Sequence, residues 1–244
     1  MNRRTIGQAV LGLAFFFYGA SAFAGSFTVN PVRVTLSPGL HVAAITVSNN
    51  GSEASVIQLQ TSSWTQQDGQ DVLTPSSEIL ATPPIFTLPP GGSQIVRVGL
   101  RRTPDVQHEL TYRLILREVP PPQPISQGLR VALAISMPVF VVSAHPAFSN
   151  LQWRATRLAD GRIQIQATNT GAAHVQVGAI ELTPAGGASP VVRQSVATYV
   201  LPGNAHSWTF ASAAKVLAGS MLELHASTDS GDVQARIALG TARP

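Results

Sequence analysis

The chain has 244 residues, 44% of them hydrophobic and 11% charged, with a formal net charge of +4. It contains no cysteine, which excludes disulfide bonds and thiolate catalysis, so its folded cores must supply all of its stability. Its 16 basic residues are arginines except for Lys215, and because they form no basic run we expect no nucleic-acid partner.

The first 24 residues predict a cleaved signal peptide. Arg3 and Arg4 precede an apolar run over residues 9–18, and Ala22-Phe23-Ala24 follows it, which is the order of basic region, apolar core and cleavage site in secretory signals. The apolar run is too short to span a bilayer. An N-terminal membrane anchor is the alternative, but we expect export from the cytoplasm without stable membrane insertion.

The remainder of the chain alternates apolar and polar residues in short segments that end at glycine, proline, asparagine or serine. This period of two predicts an all-β protein, and the spacing of the turns favours sandwiches. Asn50-Gly51 and Asp68-Gly69 predict hairpin turns. The predicted strands are residues 43–47, 55–60, 94–100, 111–119, 129–142, 162–168, 175–182, 221–226 and 233–239.

A domain boundary is predicted near residues 143–146, where the longest apolar segment ends in Ser-Ala-His-Pro. The two sides, residues 25–144 and 147–244, each have the size of one immunoglobulin-like sandwich. We therefore predict two such domains.

The segment over residues 129–142 has an unusual composition for a strand. Its alternate residues Leu129, Val131, Leu133 and Ile135 are large and apolar, whereas the residues between them are small or polar. Pro138 cannot lie in a strand that is paired on both sides, so this strand must be a sheet edge over part of its length. A long apolar edge is a template for pairing with another chain. The alternative is an ordinary core strand covered by the opposing sheet.

Several motifs resemble the PapD-like periplasmic chaperones of the chaperone–usher pathway. Residues 112–121, Tyr-Arg-Leu-Ile-Leu-Arg-Glu-Val-Pro-Pro, are similar to the family's strand that ends in R-E-I/V-P-P. Residues 82–98 are similar to its P-P-x-F-x-L-x-P-G-x-x-Q-x-x-R-V run, and residues 129–133 fall where the family has its donor strand. The resemblance covers essentially the whole chain after the signal peptide.

The resemblance implies two immunoglobulin-like domains set in an L, or boomerang, shape. It implies a periplasmic chaperone whose donor strand completes an unfinished pilus subunit, with Leu129, Val131, Leu133 and Ile135 entering the groove of the subunit. It also implies that the complex is later handed to an outer-membrane usher. The expected partners are therefore pilus or fimbrial subunits and the usher.

The family grips the C-terminal carboxylate of the subunit with a pair of basic residues. Arg33, in the first strand, matches one of them. The other is a lysine on the donor strand in the best-known members, but Pro138 stands at that position here. Arg113, on the preceding strand, is our candidate for the second cation. Arg117 shares its face, but we expect it to form an ion pair with Glu118 or a neighbouring acid instead.

That departure, together with the segments over residues 27–31 and 62–66, resembles the archaic branch of the family. Members of this branch serve thin pili and spore-coat-like subunits. Nothing in the sequence points to a cofactor, a metal site or an enzyme, because the six histidines lack metal-ligand spacing and there is no G-x-S-x-G motif. The alternatives are a pilus or coat subunit and an extracellular sandwich-type binding module.

Overall fold

The computed structural model describes residues 27–120, 131–214 and 216–241, and the predicted signal peptide lies outside them. All regular secondary structure in these ranges is β-strand, which confirms the predicted fold class. None of the described residues forms a helix that could serve as a membrane span. In chain order the strands are β1 (Phe27–Asn30), β2 (Val34–Leu36), β3 (Val42–Asn49), β4 (Ser55–Gln67), β5 (Gln70–Pro75), β6 (Ile79–Thr82), β7 (Ile85–Leu88), β8 (Ser93–Leu100), β9 (Leu110–Val119), β10 (Ala134–Val141), β11 (Leu151–Arg157), β12 (Ile163–Asn169), β13 (Val175–Pro184), β14 (Val192–Val200), β15 (Ala205–Phe210), β16 (Met221–Thr228) and β17 (Val233–Thr241).

Strands β1 to β10 form the first sandwich. One sheet has the order β1-β3-β8-β6, and the other has the order β2-β10-β9-β4-β5, with β7 also paired to β4. The inward-facing residues of both sheets form one core, in which Ile45, Val96, Ile57 and Leu114 are fully buried. The alternation of apolar and polar residues therefore has a direct cause, since one face of each sheet meets the other sheet and the other face does not.

Strands β11 to β17 form the second sandwich, in the order β14-β13-β16-β17-β11-β12-β15. Strand β17 pairs with β16 up to Ala238 and then with β11 from Leu239 onward, so the single hydrogen-bonded sheet folds back on itself. Its core is separate from that of the first sandwich. The domain limits 25–144 and 147–244 stay predictions.

Strand β10 is shorter than its predicted range over residues 129–142. It begins at Ala134, and residues 131–133 lie outside any strand. The register places Ala134 opposite Arg117. One residue earlier, the N–H of Leu133 bonds to the side chain of Glu118, so the regular ladder with β9 begins only at Ala134. Leu129 lies outside the described residues.

The two predicted hairpin turns have different outcomes. Asp68 and Gly69 join β4 to β5 with φ angles of 50° and 75°, as a two-residue hairpin requires, so this prediction is confirmed. The prediction for Asn50-Gly51 is wrong, because β3 and β4 belong to different sheets. There the N–H of Gly51 donates to Oδ1 of Asn49, 2.8 Å away, in a turn that carries the chain from one sheet to the other.

Candidate strand-docking and carboxylate-binding site

Strand β10 has a neighbour on both sides over only part of its length. It pairs with β9 from Ala134 to Val141, but with β2 only from Val139 to Val141. Within the described residues, no strand lies on the second side of Ala134–Pro138, which we call the open edge. The prediction that this strand is an edge over part of its length is confirmed.

The hydrogen-bonding groups of the open edge follow from two observed bonds. The N–H of Glu118 donates to the carbonyl of Leu133, so residue 133 and every second residue after it bond to β9. The N–H of Val142 donates to the carbonyl of Leu36, so the even-numbered residues of β10 direct their N–H and C=O groups toward the side of β2. Ala134 and Ser136 therefore direct their N–H and C=O groups toward the unfilled side, where Pro138 has no N–H to offer.

The apolar side chains of this segment emerge gradually from the core. Met137 and Val139 are buried in the first sandwich, and Ile135 and Leu133 are partly buried against its core. Val131 is 58% exposed. Val131, Leu133 and Ile135, the predicted groove-filling residues that the structure describes, thus lie on one apolar face. This face packs against the core at Ile135 and projects from it at Val131.

Glu118 fixes the point at which this face leaves the sandwich. Its Oε1 accepts a hydrogen bond from the hydroxyl of Ser55 at 3.0 Å, and its Oε2 accepts one from the N–H of Leu133 at 3.3 Å. The carboxylate of Glu118 therefore binds Ser55 and the backbone at Leu133, where the segment leaves the core. In the described part of the chain, Arg117 has no ion pair, so the expected pair between Arg117 and Glu118 is wrong.

The structure brings the two predicted anchor arginines into one row across the sheet. Arg113 lies opposite Pro138, and the register between β2 and β10 places Arg33 on the other side of Pro138. Their Cα atoms are two strand spacings apart, about 10 Å. Both side chains point away from the core, because the residues that follow them, Leu114 and Val34, point into it.

Arg33 is bound to a carboxylate of the second sandwich. Its Nη1 lies 2.8 Å from Oδ2 of Asp229, and its side chain is still 43% exposed. Burial opposes ionisation of Asp229, but the nearby ring of His174 and the hydrogen bonds from the N–H of Gln176 and from Arg33 outweigh it and lower the pKa of Asp229 to about 2. Asp229 is therefore an anion at neutral pH, and Arg33 keeps other N–H groups for a second acceptor.

Arg113 is held in a different way. Its guanidinium carbon lies 3.7 Å from the ring centre of Trp64 and 5.8 Å from that of Tyr199. Its Nη2 is 3.5 Å from Oδ2 of Asp71, and only 14% of its side chain is exposed. Burial lowers the pKa of Arg113 and the negative charge of Asp71 opposes that effect, but a guanidinium stays charged at any physiological pH.

A histidine connects Arg33 to the contact between the sandwiches. The ring of His174 stacks on Phe140 with centres 3.4 Å apart, and its Nδ1 lies 2.6 Å from Oε1 of Glu109. Its Nε2 is 3.7 Å from Oδ2 of Asp229, the distance of an ion pair rather than a hydrogen bond. Burial opposes the charged ring, but Asp229 and Glu109 outweigh it and raise the pKa of His174.

Apolar and amide groups complete this junction. Trp64, Phe140 and Leu201 form a buried cluster with Tyr199 packed against it. The amide of Gln66 donates to the carbonyl of Tyr199 at 2.9 Å and accepts from the N–H of Leu201 at 3.0 Å. The outer face of the sheet that carries both arginines is therefore covered by the second sandwich beside them.

Sequence reasoning did not identify the roles of Trp64, Glu109, His174 and Asp229. They come from four distant parts of the chain, and each lies in a loop or strand whose local pattern is ordinary. In the described ranges, no group of histidine and acidic side chains has an arrangement that could hold a metal ion.

Residues 26–146 match the family described as pili and flagellar-assembly chaperone, PapD N-terminal domain. No curated protein matches the chain. Among solved structures, the chain is similar to the CsuC–CsuE chaperone–tip adhesion subunit pre-assembly complex from archaic chaperone–usher Csu pili of Acinetobacter baumannii, with 17% identity, a TM-score of 0.65, and coverage of 89% of this chain and 100% of that chain.

Two further solved structures have a similar fold. For the Salmonella enterica SafB chaperone in complex with SafA pilin, the identity is 17%, the TM-score is 0.59, and the match covers 88% of this chain and 97% of that chain. For the E. coli chaperone DraB, the identity is 16%, the TM-score is 0.57, and the coverage is 90% and 98%. At these identities the likeness shows a shared fold over nearly the whole chain.

Proposed function

We propose, from the membership of this chain in the PapD-like family of pilus-assembly chaperones, that it binds and folds pilus subunits in the periplasm by donating the open edge of β10. The observation that carries the proposal is the unfilled side of Ala134–Pro138, next to an apolar face that projects from the core. An exposed edge of this kind binds an extended segment of another chain as an added strand.

The guest in this mechanism is a subunit that lacks one strand of its own sandwich. The N–H and C=O groups of Ala134 and Ser136 pair with the backbone of the guest, and Leu129, Val131, Leu133 and Ile135 enter its groove. Full burial of an exposed aliphatic side chain contributes roughly 1.5–3 kcal/mol, and a half-buried one contributes about half of that. A few such side chains supply free energy comparable to the stability of a small domain, about 5–15 kcal/mol.

Arg33 and Arg113 bind the C-terminal carboxylate of the guest and so set its register. The open edge extends from Pro138 only toward residue 131, so a guest strand that ends at the arginines must run parallel to β10. Strand β2 occupies the same side of β10 from Val34 onward, and the guest therefore ends where β2 begins. Register matters because a slip of one residue turns every side chain to the wrong face.

The remaining steps follow from the family. The chain reaches the periplasm by its signal peptide, residues 1–24, binds a subunit in a one-to-one complex, and delivers it to an outer-membrane usher. The departure at Pro138 and the fold shared with the archaic CsuC complex support an archaic-type chaperone, which serves thin-pilus or spore-coat-like subunits. The mechanism needs no cofactor.

The test is co-expression with a candidate pilus subunit in a periplasm, followed by purification of the chaperone. Wild-type chain should recover the subunit in a one-to-one complex, whereas the double variant Arg33→Ala, Arg113→Ala should recover at least about tenfold less, since charge-assisted hydrogen bonds to a carboxylate are lost. The matched control is the double variant Arg162→Ala, Arg193→Ala, which removes two exposed ion pairs of the second sandwich.

The outcomes separate two claims. If wild-type chain recovers no subunit, the chaperone function is wrong. If the anchor variant recovers as much subunit as the control variant, the edge binds subunits but the two arginines are not the anchor.

A further inference from the structure

The position of Arg113 raises a physical question that the proposed function leaves open. A cation with 14% of its side chain exposed has lost most of its hydration, and the carboxylate nearest to it, that of Asp71, is 3.5 Å away at the limit of a direct contact. Burial of a charge without close pairing is unfavourable. The neighbouring side chains must therefore hold the guanidinium where it is.

The face of Trp64 is the closest of these neighbours. The guanidinium carbon lies 3.7 Å from the centre of its ring, well within the range of a cation–π contact. The ring itself is fixed, because Tyr199 meets it edge-on at 5.4 Å between centres and Phe140 lies at 6.0 Å. Trp64 is 1% exposed and thus forms a rigid platform under Arg113.

The indole N–H of Trp64 gives an independent indication. It is buried and has no hydrogen-bond acceptor among the described residues. An unpaired buried donor is unfavourable, and a buried tryptophan normally finds a partner for its N–H. A phenylalanine or leucine would fill the same apolar cluster without this penalty. What a tryptophan adds at this position is the face of its ring, which is the best aromatic surface for a cation.

We propose that Trp64 is a positioning residue for the carboxylate anchor: its ring holds the guanidinium of Arg113 between the two sandwiches, near Tyr199 and Asp71, so that its free N–H groups can meet the terminal carboxylate of a guest. This inference rests on the proposed function. It also explains why the second cation is an arginine on β9, since only a planar guanidinium can stack on the ring and still present hydrogen-bond donors at its edge.

The test compares two forms of one probe. An eight-residue peptide of alternating threonine and valine, with an N-terminal fluorophore, is prepared with a free C-terminal carboxylate and with a carboxamide. Fluorescence anisotropy gives the dissociation constant of each form, and their ratio isolates the contribution of the anchor. For wild-type chain the acid should bind at least about tenfold more tightly than the amide, because charge-assisted hydrogen bonds are strong.

Substitutions at Trp64 should reduce this ratio and leave the binding of the amide unchanged. Trp64→Leu should lower the ratio to about threefold or less, and Trp64→Phe should give an intermediate value, since phenylalanine is a weaker cation–π partner. Arg113→Lys should behave like Trp64→Leu, because an ammonium group cannot stack.

The second sandwich provides a matched control. Among the described residues, Trp153 likewise has no acceptor for its buried indole N–H, but its ring packs against Trp208 and against no arginine. Trp153→Leu should leave the acid-to-amide ratio at its wild-type value.

Three results would overturn the inference. If Trp64→Leu weakens both peptide forms equally, Trp64 is structural only. If the ratio stays at the wild-type value, Arg113 does not depend on the ring. If wild-type chain shows no preference for the acid, the carboxylate anchor of the proposed function is itself wrong.

Discussion

Strand β10 has β9 along one side throughout. On its other side, no strand of the described part of the chain lies beside the open edge Ala134–Pro138, here the open half, whereas β2 lies beside Val139–Val141, the covered half. The odd-numbered residues are large and apolar in both halves. In the covered half they complete a core, and in the open half the face leaves the core. The same row of apolar residues therefore has two roles, and the start of β2 decides between them. Beside β2 the row stabilises the first sandwich, and before β2 it is available to a guest in the proposed mechanism.

The largest expected effect comes from placing a charge in the covered half and another on the exposed apolar residue that precedes the open half. Val139 is fully buried, so Val139→Asp should lower the free energy of unfolding by at least about 4 kcal/mol. Val131→Asp should change it by no more than about 0.5 kcal/mol, because that side chain is exposed, yet it should abolish recovery of a pilus subunit. Urea unfolding and co-purification measure the two quantities. Equal stability of the two variants would remove the distinction between the halves.

A second proline in the open half should act on the guest and spare the fold. The N–H of Ser136 faces the unfilled side, so Ser136→Pro removes no bond to β9, and subunit recovery should fall at least about tenfold because a donor is lost and the ring blocks close approach.

Met137→Pro is its control. The N–H of Met137 faces β9, so this variant should lose about 1–3 kcal/mol or more in the free energy of unfolding, because a buried carbonyl of β9 is left unpaired. Unchanged subunit recovery with Ser136→Pro would contradict backbone pairing at the open half.

Alkaline pH should loosen only the covered half, where His174 stacks on Phe140. The pKa of His174 is raised in the folded protein because Asp229 and Glu109 outweigh the effect of burial. Its contribution to stability is therefore complete below the unfolded pKa of about 6.5 and is lost as the pH rises through the folded value. Asp229 acts in the opposite sense, and its contribution is lost as the pH falls from about 4 toward about 2.

The measurement is the midpoint of thermal unfolding between pH 6 and pH 9. It should fall more steeply for wild-type chain than for His174→Gln, which has no titrating ring at this position. Parallel curves for the two proteins would show that the ion pairs of His174 contribute nothing to the junction.

The smallest effect is expected for the ion pair of Arg33. Asp229→Asn should lower the free energy of unfolding by about 1–2 kcal/mol at neutral pH, because the negative charge beside Arg33 and His174 is lost while the amide still accepts hydrogen bonds. Urea unfolding checks this. A loss above about 3 kcal/mol would show that the pair is a main stabiliser of the covered half, contrary to its exposure.

The sequence allowed some of these features to be predicted because they depend on local pattern. The alternation of apolar residues predicted the strands, Pro138 predicted the open edge, and Asp68-Gly69 predicted a hairpin. The failure at Asn50-Gly51 has a physical reason. A turn dipeptide fixes the local backbone, but whether the next strand pairs back or crosses to the other sheet depends on the packing of the whole sandwich.

The features that could not be predicted depend on contacts between distant residues. Arg113 was identified from its place in the resemblance, but its contact with Trp64 arises from the pairing of β9 with β4. The pairing of Arg33 with Asp229 joins residues 196 positions apart, and no local pattern indicates it. For Arg117 the sequence predicted a local contact that does not form. Its neighbour Glu118 accepts a hydrogen bond from the backbone of Leu133 instead.

Strand β2 and the proposed guest lie on the same side of β10, and this limits when a guest can bind. Because β2 begins at Val34, an extended segment that continues past its last paired residue would collide with the chaperone's own backbone. In the proposed mechanism, only a subunit whose C-terminus is already free can bind at this position. The geometry would thereby distinguish a fully delivered subunit from one still in transit.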